Sequence, residues 1–254
     1  MISADILDKN PEKSKLQIMS LLNWKQKLTP LDRELQQLKA DTLIMWNMVL
    51  SQLNKTREAL ENMDSDLARE VVEKEKRINA HELKIDSNCE DIIALFAPVA
   101  IDLRFVLAVL KINMNLERTG DIAEGIAKFV IHIPENFDRE LFGLTRVLEM
   151  FDQGNQMVKE VMQAFENEDT LVARKVFRKD DLLDEINREA PEAIAAYIKA
   201  NPENIPEALY FLSSIRKLER VGDQAKNMAE EIIFYTEAKV MKHKSKRKKE
   251  TLDD

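Results

Sequence analysis

Two six-residue strings carry the residues best placed to do chemistry in this 254-residue chain. Leu116-Glu117-Arg118-Thr119-Gly120-Asp121 is matched by Leu218-Glu219-Arg220-Val221-Gly222-Asp223, in the same order 102 positions later. In each string a Glu and an Asp four apart lie about 40° apart around a helix, so both carboxylates point the same way. The glycine between them weakens a helix by about 1 kcal/mol relative to alanine. Its presence twice in one slot predicts a close backbone approach there, or room for a ligand. Further acids sit on neighbouring stretches: Glu75, Asn79 and Glu82 share one helix face, and Asp180 and Asp184 share another. Carboxylates gathered together repel unless protons or a cation intervene. Oxygen ligands on two facing helices suit a divalent or trivalent metal ion, with iron, manganese, magnesium, calcium and zinc all admissible. Acids number 46 of 254 residues, so a lone Glu-x-x-x-Asp pair reads as a solvated face. It is the duplicated string that sets these pairs apart.

Apolar positions upstream of each pair (Leu103, Val106 and Leu110 before Glu117; Ile205, Ala208 and Leu212 before Glu219) make the acids the continuation of a core-facing stripe. Downstream, Ile122 and Ile126, or Met228 and Ile232, move to the opposite side, which equally allows a solvent-facing acidic surface.

The elements that must position these acids are helices. Only 5 glycines and 7 prolines leave little material for hairpins, while apolar residues recur at helical spacing nearly everywhere. The fold class is all-α. Prolines and capping residues divide the chain into six long helices: Pro30–Asn62, Ser65–Phe96, 99–132, 138–166, 168–199 with a kink at Pro191, and 205–241. The break at Pro134 splits these evenly into three-helix units, 31–134 and 135–241, one motif copy in each, as a duplication requires. Residues 1–30 form an extension bracketed by Pro11 and Pro30, and 242–254 a basic tail.

Charge and cysteine content exclude several classes. The net charge is −8, yet seven Lys/Arg and three acids fall between Lys239 and Asp254, so the rest of the chain carries −12. Such an acidic body argues against nucleic acid as a ligand. The tail suits a peripheral contact with anionic lipid or a partner, although a solvated end is the plainer expectation. Cys89, the single cysteine, cannot form an intrachain disulfide and reads as a small buried residue. The longest apolar run, 92–101, is too short to span a bilayer, and the first residues lack a signal-peptide core, so a cytoplasmic location is expected. Trp24 and Trp46 read as core. No P-loop, GxGxxG, GxSxG or CxxC occurs. A ferritin-like di-metal oxidase needs Glu-x-x-His on two helices. His81, His132 and His243 are preceded at that spacing by Ile78, Phe129 and Val240, which disfavours an enzyme.

At the motif residues the sequence resembles the PhoU family of phosphate-signalling proteins. The likeness runs from about 31 to 236, strongest over 98–112 with the first LERxGD and over LERVGDQAKNMAE at 218–230. The resemblance implies two pseudo-symmetric three-helix bundles and metal bound by the motif acids in at least some members. It implies no catalysis, but restraint of phosphate uptake and phosphate-responsive expression through a phosphate ABC transporter and a sensor histidine kinase, with a homodimer as the expected assembly. Carried over by position, the metal ligands would be Glu75, Glu117 and Asp121 in the first half and Asp180, Asp184, Glu219 and Asp223 in the second, with Asn227 beside them. Asn79 stands where the second half has Asp184, and Gly125 where it has Asn227. Each carboxylate raises affinity for a hard cation, so the second set is expected to bind metal more tightly than the first. A helical adaptor whose carboxylates bind nothing is the alternative.

Overall fold

The computed structural model describes residues 28–134 and 137–240. Among these residues there is no strand, only eight α-helices and one 3-10 turn at Pro202–Asn204. The first half consists of α1 (Pro30–Asn62), α2 (Ser65–Phe96) and α3 (Ala100–His132), all within a residue of the expected bounds. Their ends have local causes. Thr29 and Asp32 form a capping box at the start of α1, with reciprocal bonds of 3.1 and 2.8 Å. Asp64 Oδ1 accepts from the backbone N–H groups of Asp66 and Leu67 at the start of α2.

The second half departs from the expectation of three unbroken helices. The stretch expected at 138–166 is α4 (Glu140–Thr145) and α5 (Val147–Asn167), divided at Arg146, whose φ is 51°. Its side chain pairs with Glu149 and Glu185. The stretch expected at 168–199 is α6 (Thr170–Lys179) and α7 (Asp181–Ala200). Pro191 lies inside α7, and a further interruption, not expected, falls at Asp180. The last helix, α8, runs Ile205–Glu237. The expected extension (1–30) lies outside the described residues apart from 28–30, and the basic tail lies outside them entirely.

Helices α1, α2 and α3 pack on one another, as do α5 to α8, with α4 laid on that second group. The groups meet where α3 lies against α8 and α1 against α5. Contacts between Lys111 and Glu231, Asn115 and Asn227, and Phe129 and Tyr210 show that α3 and α8 run antiparallel, so the two motif strings cross side by side. Trp46, Phe151, Phe165 and Phe211 fill the interior, and Cys89 is buried among apolar neighbours, its thiol pushed up to about 12 by burial. No helix among the described residues is long and apolar enough to cross a membrane.

Candidate functional site

Glycine decides how each motif meets its neighbours. None of the five glycines has a positive φ; the left-handed positions are taken by residues such as Met63, Ala97 and Arg146. These glycines therefore serve space rather than turns. A Cβ on Gly120 would stand 3.0 Å from Glu75 Oε1, and one on Gly222 would stand 2.5 Å from Asp180 Oδ1 and 2.6 Å from Leu183 Cδ1. The repeated gap in the motif helix is filled by an acid from the neighbouring element, Glu75 of α2 in one half and Asp180 at the α6–α7 break in the other.

In the first half Glu75 is 3% exposed, and neither of its oxygens completes a hydrogen bond. Burial pushes its carboxyl up to about 7, helped by the charges of Asp121, Glu124 and Glu117, with Gln52 acting the other way. Glu117 is half-buried and also raised to about 7, first by burial, then by Asp121 and Glu82. Asp121 is exposed at the mouth, beside a cleft of about 470 Å³ that lies between α3 and α8 and is lined by Arg118, Glu124, Lys217 and Arg220. A larger cleft, about 660 Å³, opens on α1 and α2 near Met48 and His81 and contains none of the motif acids. Asn79 is exposed.

The second half gathers Asp180, Asp184, Glu219 and Asp223, but with a cation already among them. Lys226 donates to Asp180 Oδ2 and pairs with Asp223 Oδ1 at 2.8 Å. Burial raises the Asp180 carboxyl, with Lys226 opposing; burial also raises Glu219, followed by the charges of Asp223, Asp184 and Asp180. Burial pulls Lys226 down, but its bonds to Asp180 and Asp223 overcome that and keep the ammonium charged. Asp180 Oδ1 remains buried and unpartnered. Asn227, expected beside the ligands, is exposed and donates instead to Asn115 Oδ1 at 3.3 Å, tying α8 to α3. Sequence reasoning misses Lys226. The signal is present all the same: Lys226 lies 102 residues after Glu124, so one repeat position changes sign between the halves.

Among the described residues no three Asp, Glu, His or Cys side chains converge tightly enough, as placed, to hold one metal ion. The donor sets nevertheless differ in their fit to one. The first offers Glu75, Glu117 and Asp121 with two orphaned buried oxygens, and none of the three forms an ion pair among the described residues. The second has its own ammonium in place.

Gly222→Ala should destabilise the fold by about 1–2 kcal/mol despite alanine's better helix propensity of about 1 kcal/mol. Overpacking a buried site typically costs about 1–3 kcal/mol, and Asp180 and Leu183 are both buried against the new methyl. Gly120→Ala, with its nearest contact at 3.0 Å, should lose less. Urea unfolding of the two variants gives the order, and equal stability would show that Asp180 swings aside freely.

Comparison with known proteins matches the architecture and the motif together. The model of the PhoU domain fits twice, over residues 42–130 and 147–232. The phosphate-specific transport system accessory protein PhoU of Escherichia coli K12 is 33% identical over 211 residues, 83% of this chain and 86% of that protein. A PhoU homologue of Thermotoga maritima is 32% identical over 212 residues, covering 83% and 90%. The crystal structure of PhoU from Pseudomonas aeruginosa aligns with a TM-score of 0.78 at 32% identity, covering 82% of this chain and 99% of that one. The phosphate transport system regulatory protein PhoU of Streptococcus pneumoniae aligns at 0.75 and 28% identity. With both halves matched and the paired LERxGD strings crossing at their contact, this chain belongs to the PhoU family.

Proposed function

We propose that the protein restrains phosphate uptake and phosphate-responsive expression when phosphate is plentiful, acting in the cytoplasm on a phosphate ABC transporter and its sensor histidine kinase. Family membership carries the coarse part plainly: a non-catalytic accessory in phosphate regulation. The observation that supports the finer reading is the match over both halves to proteins described as accessory to phosphate-specific transport. A homodimer is the assembly this reading assigns. Deleting the gene should raise phosphate accumulation and switch on a phosphate-responsive reporter in phosphate-rich medium, and unchanged behaviour of both would refute it.

The metal part of the reading rests on Glu75, Glu117 and Asp121. These side chains would hold a hard cation once rotated together, and Glu124 stands near enough to bias the charge of the set. When bound, the ion would supply the positive charge that Glu75, Glu117 and Asp121 lack, and so fix α2 to α3 at the motif. Glu75 is the residue that makes this fit, since its two buried oxygens have no other partner. Elemental analysis after manganese loading should show that Glu117→Ala plus Asp121→Ala removes the bound metal. An unchanged content, or a parent protein without metal, would leave the helical adaptor as the better description.

A further inference from the structure

We infer that Lys226 is the resident cation of the second half, tying Asp180 to Asp223 beside Asp184 and Glu219 in the place a metal ion would take. This goes beyond the metal reading of the first half and does not depend on it.

The argument begins with position. Lys226 follows Glu219 by seven residues and Asp223 by three, so all three side chains leave α8 on one face. Its stem folds back so that Nζ reaches across to the α6–α7 break, bonding Asp180 Oδ2 there and Asp223 Oδ1 on its own helix. The Asp180 side chain is 6% exposed and that of Lys226 26%, so the pair is sheltered from bulk water on the Asp180 side. The break at Asp180 is what places that carboxylate in the space left by Gly222.

Charge decides what this arrangement accepts. A divalent ion bound by Asp180 and Asp223 would have to displace an ammonium from the same oxygens, or sit beside it against like-charge repulsion. The first half presents no such obstacle. The repeat position of Lys226 is Glu124, which turns outward to Lys128 at 2.6 Å, and no Lys, Arg or His among the described residues pairs with Glu75, Glu117 or Asp121. The expectation that the second half binds metal more tightly counts acids and omits the lysine between them; with Lys226 included the order reverses.

The test uses the full chain in two arms. With chelator and no metal, Lys226→Met keeps the stem but leaves Asp180 buried and uncompensated. Breaking a buried pair from one side should lower the melting temperature by on the order of 10 °C. Adding Asp180→Asn to Lys226→Met should recover most of that loss, and Lys226→Arg should avoid it. A shift within about 1 °C for Lys226→Met would place the pair among ordinary surface ion pairs and overturn the proposal. In the second arm, manganese(II) alone is loaded and counted by elemental analysis. Glu219→Ala plus Asp223→Ala should leave the content of the parent unchanged, whereas manganese should restore part of the stability lost in Lys226→Met. A fall in content with Glu219→Ala plus Asp223→Ala overturns the proposal. A parent that takes up no manganese sinks the first-half metal reading while agreeing with this one.

Discussion

Glu75→Gln should make the chelated protein more stable by about 2–3 kcal/mol at pH 8 and leave it almost unchanged at pH 4. The side chain is 3% exposed, its oxygens are unpartnered, and burial with three neighbouring acids holds its carboxyl up to about 7 against an ordinary 4.5. The folded pKa lies above the unfolded one, so the folded chain takes up this proton first. Stability from this group is therefore fully present below about 4.5 and is lost as pH rises through about 7. Each tenfold change in proton affinity between the folded and unfolded chain corresponds to about 1.4 kcal/mol, and relaxation of the site trims the total. Glu117 follows the same direction, but its half-open position screens its contribution. Glutamine keeps the shape without the charge, so the variant's urea midpoint should vary less between pH 5 and pH 8 than the parent's. A variant no more stable at pH 8 would mean that the Glu75 charge is already compensated in the apo fold. With metal present the sign should invert, because a bound cation stabilises the ionised carboxylate and glutamine removes a ligand. The strain in the apo state and the proposed affinity for a cation are two sides of one buried charge.

How much of this is legible in the sequence differs between the halves. In the first, Pro30, Asp64 and Pro98 mark the turns, each acting locally through its own backbone, and the expected bounds hold to within a residue. In the second, the two interruptions fall at Arg146 and Asp180, neither of them a helix breaker by type. Arg146 takes a left-handed conformation while pairing with Glu149 and with Glu185, the latter 39 residues away, and periodicity within a window cannot report such a partner. Pro191 sits within α7, as a proline expected to kink rather than end a helix does, and composition gives no sign of the interruption at Asp180.

For the site, the motif spacing leaves a core-facing and a solvent-facing placement open, and the structure divides them: Glu117 and Glu219 are half-buried, while Asp121 is exposed. The twin glycines predict a close backbone approach or ligand room, whereas the structure fills the space with the side chain of a neighbouring acid. Periodicity on α2 does place Glu75 on the buried stripe of Ala68, Val71, Ile78, Ile85, Cys89 and Ile92 and leaves Asn79 off it, whereas the fit of Glu75 into the space at Gly120 depends on another helix and is not legible from spacing. Lys226 is hidden for a different reason. A search for metal ligands favours acids, and a cation three residues beyond Asp223 looks like an ordinary helical ion pair until Asp180 arrives from another element.

Trp46→Ala should cost about 3–5 kcal/mol and leave the motif acids in place. The indole is fully buried on α1, lies against Phe165 with ring centroids 5.6 Å apart, and donates from Nε1 to the Val158 carbonyl of α5 at 3.1 Å. Truncating a large buried aromatic removes its transfer energy and opens a cavity that helix packing closes only in part. This position matters more than a core site within one half, because α1 against α5 is one of the two helix pairs whose backbones pack closely across the halves among the described residues. The other pair, α3 against α8, keeps its own ties: Lys111 to Glu231 at 3.0 Å and Asn227 to Asn115. Weakening the first joint alone should let the halves unfold less cooperatively, so the calorimetric enthalpy should exceed the van't Hoff value in Trp46→Ala but not in the parent. Metal content, which the proposed reading sets at α2 and α3, should stay that of the parent. A loss below about 1 kcal/mol, or a single sharp transition with metal lost, would mean that the halves are coupled chiefly through the motif helices, and that the acids of LERxGD depend on that docking.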